Sequence, residues 1–444
     1  MKSRRGILAA EAAKENSSAQ LTVLPNGIRI ISEYISAVES FSLGIWVKAG
    51  SRDETAQLNG AVHFLEHLAF RRTEKRSTKA LAAAFEQMGA YSNAYTTKEH
   101  TCFYVRALSR DFNRVFRLLA ELTLQPAMDA RDIEKERGII IEEIHSCEDE
   151  PEEMVFDVGE SLLFQDHPLG RPIAGSAESV SALSRNDLLN LRAALYKPQN
   201  IVIALAGNIS HQEIVSIAAR LFGNFIAPPA IAQDPSIAMP AQRLAPNLNI
   251  QAVEHQERGG FQQAQVLLGR LLPGIDSPDR YGFIVLNMLL GEGMSSRLYQ
   301  SIRERSGLGY TVYSAIDLFS DCGTLFLYTA CDNKYAAKAA ELMRQECAKL
   351  SAQNPVRERE LERARAQVRA GILLSLESMS ARMQALGRGE LEEGGCEPVS
   401  HTISRINAIT TDDIQRLARH YLQPEAWTSV MMLSGVERIQ RDAV

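Results

Sequence analysis

Apolar and polar positions along this chain fall into short alternating runs separated by longer stretches with helical spacing. Residues 21–33 carry Pro25-Asn26-Gly27 between apolar runs, which predicts a hairpin feeding the β-rich Ile28-Arg29-Ile30-Ile31. Residues 41–47 and 90–97, and the alternating Cys102-Phe103-Tyr104-Val105, also read as strands. Between them, residues 61–70 are good helix formers with no Gly or Pro after Gly60. A further helix over 77–88 has Ser77 as its cap and Gly89 as its stop. Helices are predicted over 112–124, 133–147 and 180–196, followed by an apolar strand over 200–206. The second half repeats the alternation, with strands at 265–268, 310–315 and 324–329 and a helix at 281–290.

The two halves also end alike. Asp187-Leu188-Leu189 runs through Tyr196-Lys197-Pro198 into a strand and Gly207, and Asp413-Ile414 runs through Tyr421-Leu422-Gln423-Pro424 into a strand and Gly435. This recurrence points to a duplication. The expected fold is α+β: two homologous domains of similar topology, each a mixed or antiparallel sheet packed with helices. The boundaries drawn are an N-terminal extension at 1–18, a first domain at 19–225, a linker at 226–249 and a second domain at 250–444. The linker is rich in proline, with Pro228, Pro229, Pro235, Pro240 and Pro246.

Composition narrows the class. At 444 residues, 45% hydrophobic and 23% charged, this is ordinary globular material with room for more than one core. A net charge of −6 argues against nucleic acid or an anionic membrane as a partner. The six cysteines form no C-x-x-C pair and are expected to be reduced thiols. Glu11 and Glu15 interrupt the basic N-terminus, so no secretory signal is expected, and no apolar run is long enough to span a bilayer. The expected location is the bacterial cytoplasm rather than a mitochondrion.

The candidate chemistry lies in the stretch from Ala61 to Phe70. His63 and His67 are four apart, so a helix projects both from one face, where two imidazoles can bind a cation such as zinc. Glu66 lies beside them, close enough to take a proton from a metal-bound water. The order His-x-x-Glu-His inverts the common zinc-protease motif. A third ligand is expected from the helix over 132–147, which offers Glu136, Glu142 and Glu143. Glu136 and Glu143 are two turns apart and share a face. The second half has no such motif. His100 and His145 are expected to be structural rather than ligands.

With these residues in place, the chain resembles the pitrilysin (insulinase) family of zinc peptidases, especially the single-length branch that includes the mitochondrial processing peptidase. The resemblance spans nearly the whole chain. It implies one zinc ion per catalytic domain, held by His63, His67 and a glutamate about 75 residues further on. Glu143 lies 76 positions after His67 and takes that place, and the family's helper glutamate falls on Glu136. By the same likeness Glu66 is the general base. Gly89-Ala90-Tyr91-Ser92-Asn93-Ala94-Tyr95-Thr96-Thr97 resembles the substrate-binding edge strand, which makes Ser92, Asn93, Ala94 and Tyr95 candidate contacts to an extended peptide. The run Arg303-Glu304-Arg305-Ser306-Gly307-Leu308-Gly309-Tyr310 is similar to an element whose arginine and tyrosine bind the substrate backbone and the oxyanion.

Two acids ten and fourteen residues beyond the zinc-ligand glutamate hold a substrate arginine in the processing peptidase. Those intervals give Glu153 and Asp157, so an Arg-containing peptide is an expected substrate. The long glycine-rich loop of that enzyme's noncatalytic subunit is missing; only Gly291-Glu292-Gly293-Met294 stands in the comparable place. Because one chain carries both the metal motif and the Arg/Tyr element, the resemblance implies a homodimer, with a heterodimer containing an inactive homologue as the alternative. The rival functional readings are a noncatalytic assembly subunit and a chamber that grips peptides without cutting them.

Overall fold

The computed structural model describes residues 19–227, 243–248, 251–353 and 356–435. The N-terminal extension, and residues 228–242 and 249 of the proline-rich stretch, lie outside the described residues. The chain packs as two compact units.

The first unit is built on a six-stranded sheet. Its strands are β1 (Gln20–Val23), β2 (Arg29–Tyr34), β3 (Ser40–Val47), β4 (Tyr91–Thr96), β5 (Thr101–Leu108) and β6 (Ile201–Gly207), in the order β1-β2-β6-β3-β5-β4. β6 is buried along its whole length, as its unbroken run Ile-Val-Ile-Ala-Leu-Ala-Gly requires of a strand covered on both faces. One face is covered by helices Phe112–Leu124 and His211–Phe222, where Phe41 meets Phe112 edge-on at 5.2 Å. β4 closes one side of the sheet and pairs only with β5, so its outer edge is open among the described residues.

The second unit has a five-stranded sheet. Its strands are β7 (Glu254–Gly259), β8 (Ala264–Pro273), β9 (Gly309–Leu318), β10 (Cys322–Cys331) and β11 (Thr428–Ser434), in the order β7-β11-β8-β10-β9. Strand for strand this repeats the first sheet without β1. In each sheet one parallel pair (β2 with β6, β7 with β11) is followed by three antiparallel pairings. The two sheets therefore share one topology, in agreement with the α+β duplication read from the sequence.

The units are not contiguous in sequence, unlike the boundaries drawn at 19–225 and 250–444. The first takes residues 373–398 from the second half of the chain, and the second takes 143–171 from the first half. Each half thus contributes one helix to the other's sheet. Helix Met379–Glu392 lies on β6, β3 and β2, and helix Pro151–Phe164 lies on β8 and β11. Both contacts are close because glycine faces the sheet. A Cβ on Gly387 would stand 2.2 Å from the Trp46 ring, and one on Gly159 2.4 Å from Leu267 Cδ2. The sheets reciprocate with Gly44 and Gly269 in their central strands. Under Met379–Glu392 the first sheet offers Trp46, Val202, Ala204 and Ala206, a shallow apolar trough into which Met383 and Leu386 fit.

One helical reading changes and one helix is new. The helix expected over 180–196 is two, Ala177–Ala182 and Arg185–Leu195, because Ser184 caps the second through Asp187 and ends the run. Residues 151–164, for which the sequence pattern predicted no element, form a helix begun by Pro151 at its first turn. All six cysteines are free thiols. Among the described residues no helix is long and apolar enough to cross a membrane.

Candidate metal site

The site helix is Ala61–Arg71. Gly60 precedes it in the left-handed region at φ 92°, and a Cβ there would meet Ala174 O at 2.5 Å, so only glycine fits. Glycine has no side-chain oxygen with which to cap a helix. Glu54 supplies one from six residues upstream. Its carboxylate accepts from Val62 N at 2.6 Å, Gly60 N at 2.9 Å and Asn59 Nδ2 at 3.0 Å. Complete burial pushes the Glu54 carboxyl up to about 8, while these three donors pull it down. Phe64, Leu65 and Leu68 are buried and fasten the helix to the core.

His63 and His67 leave this helix on one face, their rings 4.6 Å apart at 72°. Helix Ala130–Glu148 brings two glutamates to the same place. Glu136 is buried, and its Oε2 accepts from His67 Nδ1 at 3.1 Å while its other oxygen meets Arg71 Nε. That contact sets the His67 tautomer: the proton on Nδ1 faces Glu136 and Nε2 keeps its lone pair. Two turns on, a Glu143 oxygen lies with ring nitrogens of His63 and His67, all within 4.8 Å of one another. The division between the units falls between Glu142 and Glu143, but the helix runs through it unbroken. Among the described residues this is the one group of His, Cys, Asp or Glu with the spacing to hold a metal ion.

The donor set fits zinc. Two imidazoles and one carboxylate are three protein ligands of the types that zinc takes at catalytic sites. The thiol nearest the group in sequence is Cys147, one turn beyond Glu143. Burial and a hydrogen bond with Glu153 push it up to about 12. His145 is exposed and outside the group, and His100 is buried against Glu392.

Glu66, half-buried on the site helix, accepts a hydrogen bond from Thr96 at the end of β4. Ser92, Asn93, Ala94 and Tyr95 lie along that same edge strand; Asn93 is exposed, and Tyr95 packs edge-on against Trp46 at 6.1 Å. Burial raises the Tyr95 phenol, so it stays neutral. In the second unit Arg303 sits on the π-helical turn Tyr299–Arg305 with its guanidinium 4.1 Å from the Tyr310 ring, and its Nη1 donates to Tyr310 O at 2.9 Å. Tyr310 is 76% exposed. Glu153 and Asp157 are exposed one turn apart on helix Pro151–Phe164. Sequence reasoning missed Glu54, Arg71 and Thr96. Arg71 had a signal, since it follows His67 by four on the same helix; Glu54 and Thr96 act through the tertiary fold.

Residues 29–177 match the family described as insulinase (peptidase family M16), and residues 182–368 match the one described as the peptidase M16 inactive domain. A protein of Mycobacterium tuberculosis named as an uncharacterized zinc protease is 38% identical over 419 residues, 94% of each chain. One of Bacillus subtilis with the same description is 31% identical over 410 residues, 92% of this chain and 97% of that one. Among solved structures, a protease from Helicobacter pylori superposes with a TM-score of 0.87 at 19% identity, covering 94% of this chain and 99% of the other. A Pseudomonas fluorescens structure described as a peptidase M16 inactive domain gives 0.83 at 21% identity over the same shares. These structural likenesses are of fold.

Proposed function

The chain belongs to the insulinase family of peptidases (family M16), and from that membership we propose that it is a zinc-dependent endopeptidase acting on extended peptides. The observation that carries the reading is the convergence of His63, His67 and Glu143 ligand atoms within 4.8 Å, with Glu136 bonded behind His67. A zinc ion held by these three side chains would supply a Lewis acid and make water acidic enough to lose a proton near neutral pH.

The chain's own residues do the rest. Glu66 accepts the proton of the attacking water and returns it to the leaving amine. Glu136 keeps His67 in the tautomer and orientation that a ligand needs. The open edge of β4 pairs with the substrate backbone through residues 92–95, which selects an extended conformation rather than a sequence. Arg303 and Tyr310 are assigned to the substrate backbone and the charge that develops on the carbonyl oxygen. Glu153 and Asp157 are assigned to a basic side chain of the peptide, arginine first, by charge-assisted hydrogen bonds. A homodimer working in the bacterial cytoplasm completes the proposal.

The test is cleavage of a quenched, arginine-containing peptide together with metal analysis. Wild type should carry one zinc per chain and lose cleavage to a chelator. Glu66→Gln should keep its zinc and lose at least about 100-fold in kcat. Full activity in that variant would remove Glu66 from the role of base. Zinc without cleavage in wild type would favour a peptide-gripping chamber.

A further inference from the structure

We propose that Thr96 is a positioning residue for Glu66, holding one oxygen of its carboxylate by a hydrogen bond and so fixing the orientation of the other. This rests on the reading of Glu66 as the base. The geometry begins with a short contact: Thr96 Oγ1 donates to Glu66 Oε2 at 2.6 Å. Thr96 is the last residue of β4 and faces Thr101 across the strand pair. The two hydroxyl oxygens are 3.4 Å apart. Thr101 is fully buried, and its hydroxyl donates to Ala49 O at 2.8 Å.

A hydroxyl has one proton and two lone pairs. Thr101 commits its proton to Ala49 O, so toward Thr96 it is an acceptor. Thr101 therefore does not compete as a donor, and the Thr96 proton goes to the stronger acceptor, the Glu66 carboxylate, in a charge-assisted bond. That bond occupies Oε2 and leaves the other carboxylate oxygen for the proton of the attacking water. Valine cannot make this bond, and serine can.

The position adds a second consequence. Thr96 stands on the strand proposed to receive the peptide, one residue past Tyr95, so the substrate edge and the orientation of the base belong to one piece of backbone. A glutamate on a helix surface otherwise has several rotamers to choose from.

Thr96→Val and Thr96→Ser test this in the full-length, zinc-loaded protein. Thr96→Val should keep its zinc content and KM while kcat falls ~10–100-fold, and Thr96→Ser should recover most of that loss. Wild-type kcat in Thr96→Val, or equal loss in both variants, overturns the proposal. Crystal structures of wild type and Thr96→Val give an arm that needs no activity. The Glu66 carboxylate should hold one orientation against Thr96 in wild type and be rotated or split in the variant, and an unchanged carboxylate overturns the proposal. If wild type cleaves no peptide, the endopeptidase reading fails while the structural arm still decides Thr96. If Thr96→Val does not fold, Thr96→Ser decides: its Glu66 should keep the wild-type orientation, and a displaced carboxylate overturns the proposal.

Discussion

Glu54 is the residue on which the site helix starts. A helix N-terminus leaves N–H groups without partners, and Gly60 brings no oxygen of its own, so a buried carboxylate from outside the helix meets them. Burial in turn raises its folded-state pKa to about 8, against an ordinary value of 4.5. The folded chain then binds more protons than the unfolded chain between those values. Stability from this group is fully present below about 4.5 and is lost as pH rises through about 8. In Glu54→Gln that dependence disappears. The melting temperature of wild type minus that of the variant should therefore shrink steadily from pH 5 to pH 8, by an amount thermal unfolding across the range can read. A constant difference would show that Glu54 does not titrate in this window.

At the scale of elements, glycine decides how closely helices approach. Gly387 faces Trp46, a rigid ring only 1% exposed, whereas Gly159 faces the far end of Leu267, which can turn aside. Gly387→Ala should therefore destabilise by about 1–3 kcal/mol, and Gly159→Ala by clearly less, in denaturant titrations. Gly138 is the opposite case. It lies inside helix Ala130–Glu148 with nothing within 4 Å of an added Cβ. Gly138→Ala should stabilise by about 0.5–1 kcal/mol without changing zinc content, since Glu136 and Glu143 keep their turns.

For the whole molecule, the exchange of helices means that neither half of the sequence owns a complete core. A fragment ending near residue 250 would lack Met379–Glu392 and leave Trp46, Val202 and Ala204 facing water. It should aggregate or bind a hydrophobic dye, and co-expression with the remainder of the chain should restore a soluble product. A monodisperse, cooperatively melting fragment would show that the exchanged helix is dispensable.

Local pattern carried much of the fold. Periodicity of 3.6 and 2 placed the site helix and most of the strands, and the spacing of His63, His67, Glu136 and Glu143 put all four on two helix faces before any packing was known. Residues 151–164 were not legible as a helix because a solvated charge run and a helix with one buried stripe, here Val155, Gly159 and Leu163, look alike until the covering sheet is known.

By itself, the sequence determined the features that neighbours along the chain dictate: the elements, the inverted histidine motif and the repeated order of the two halves. Only the tertiary structure decided which helix covers which sheet, that Glu54 caps the site helix, and that Thr96 meets Glu66. Those contacts join residues remote in sequence. They are chosen by surface complementarity, and the entropy of closing a longer loop grows too slowly to forbid an exchange between halves.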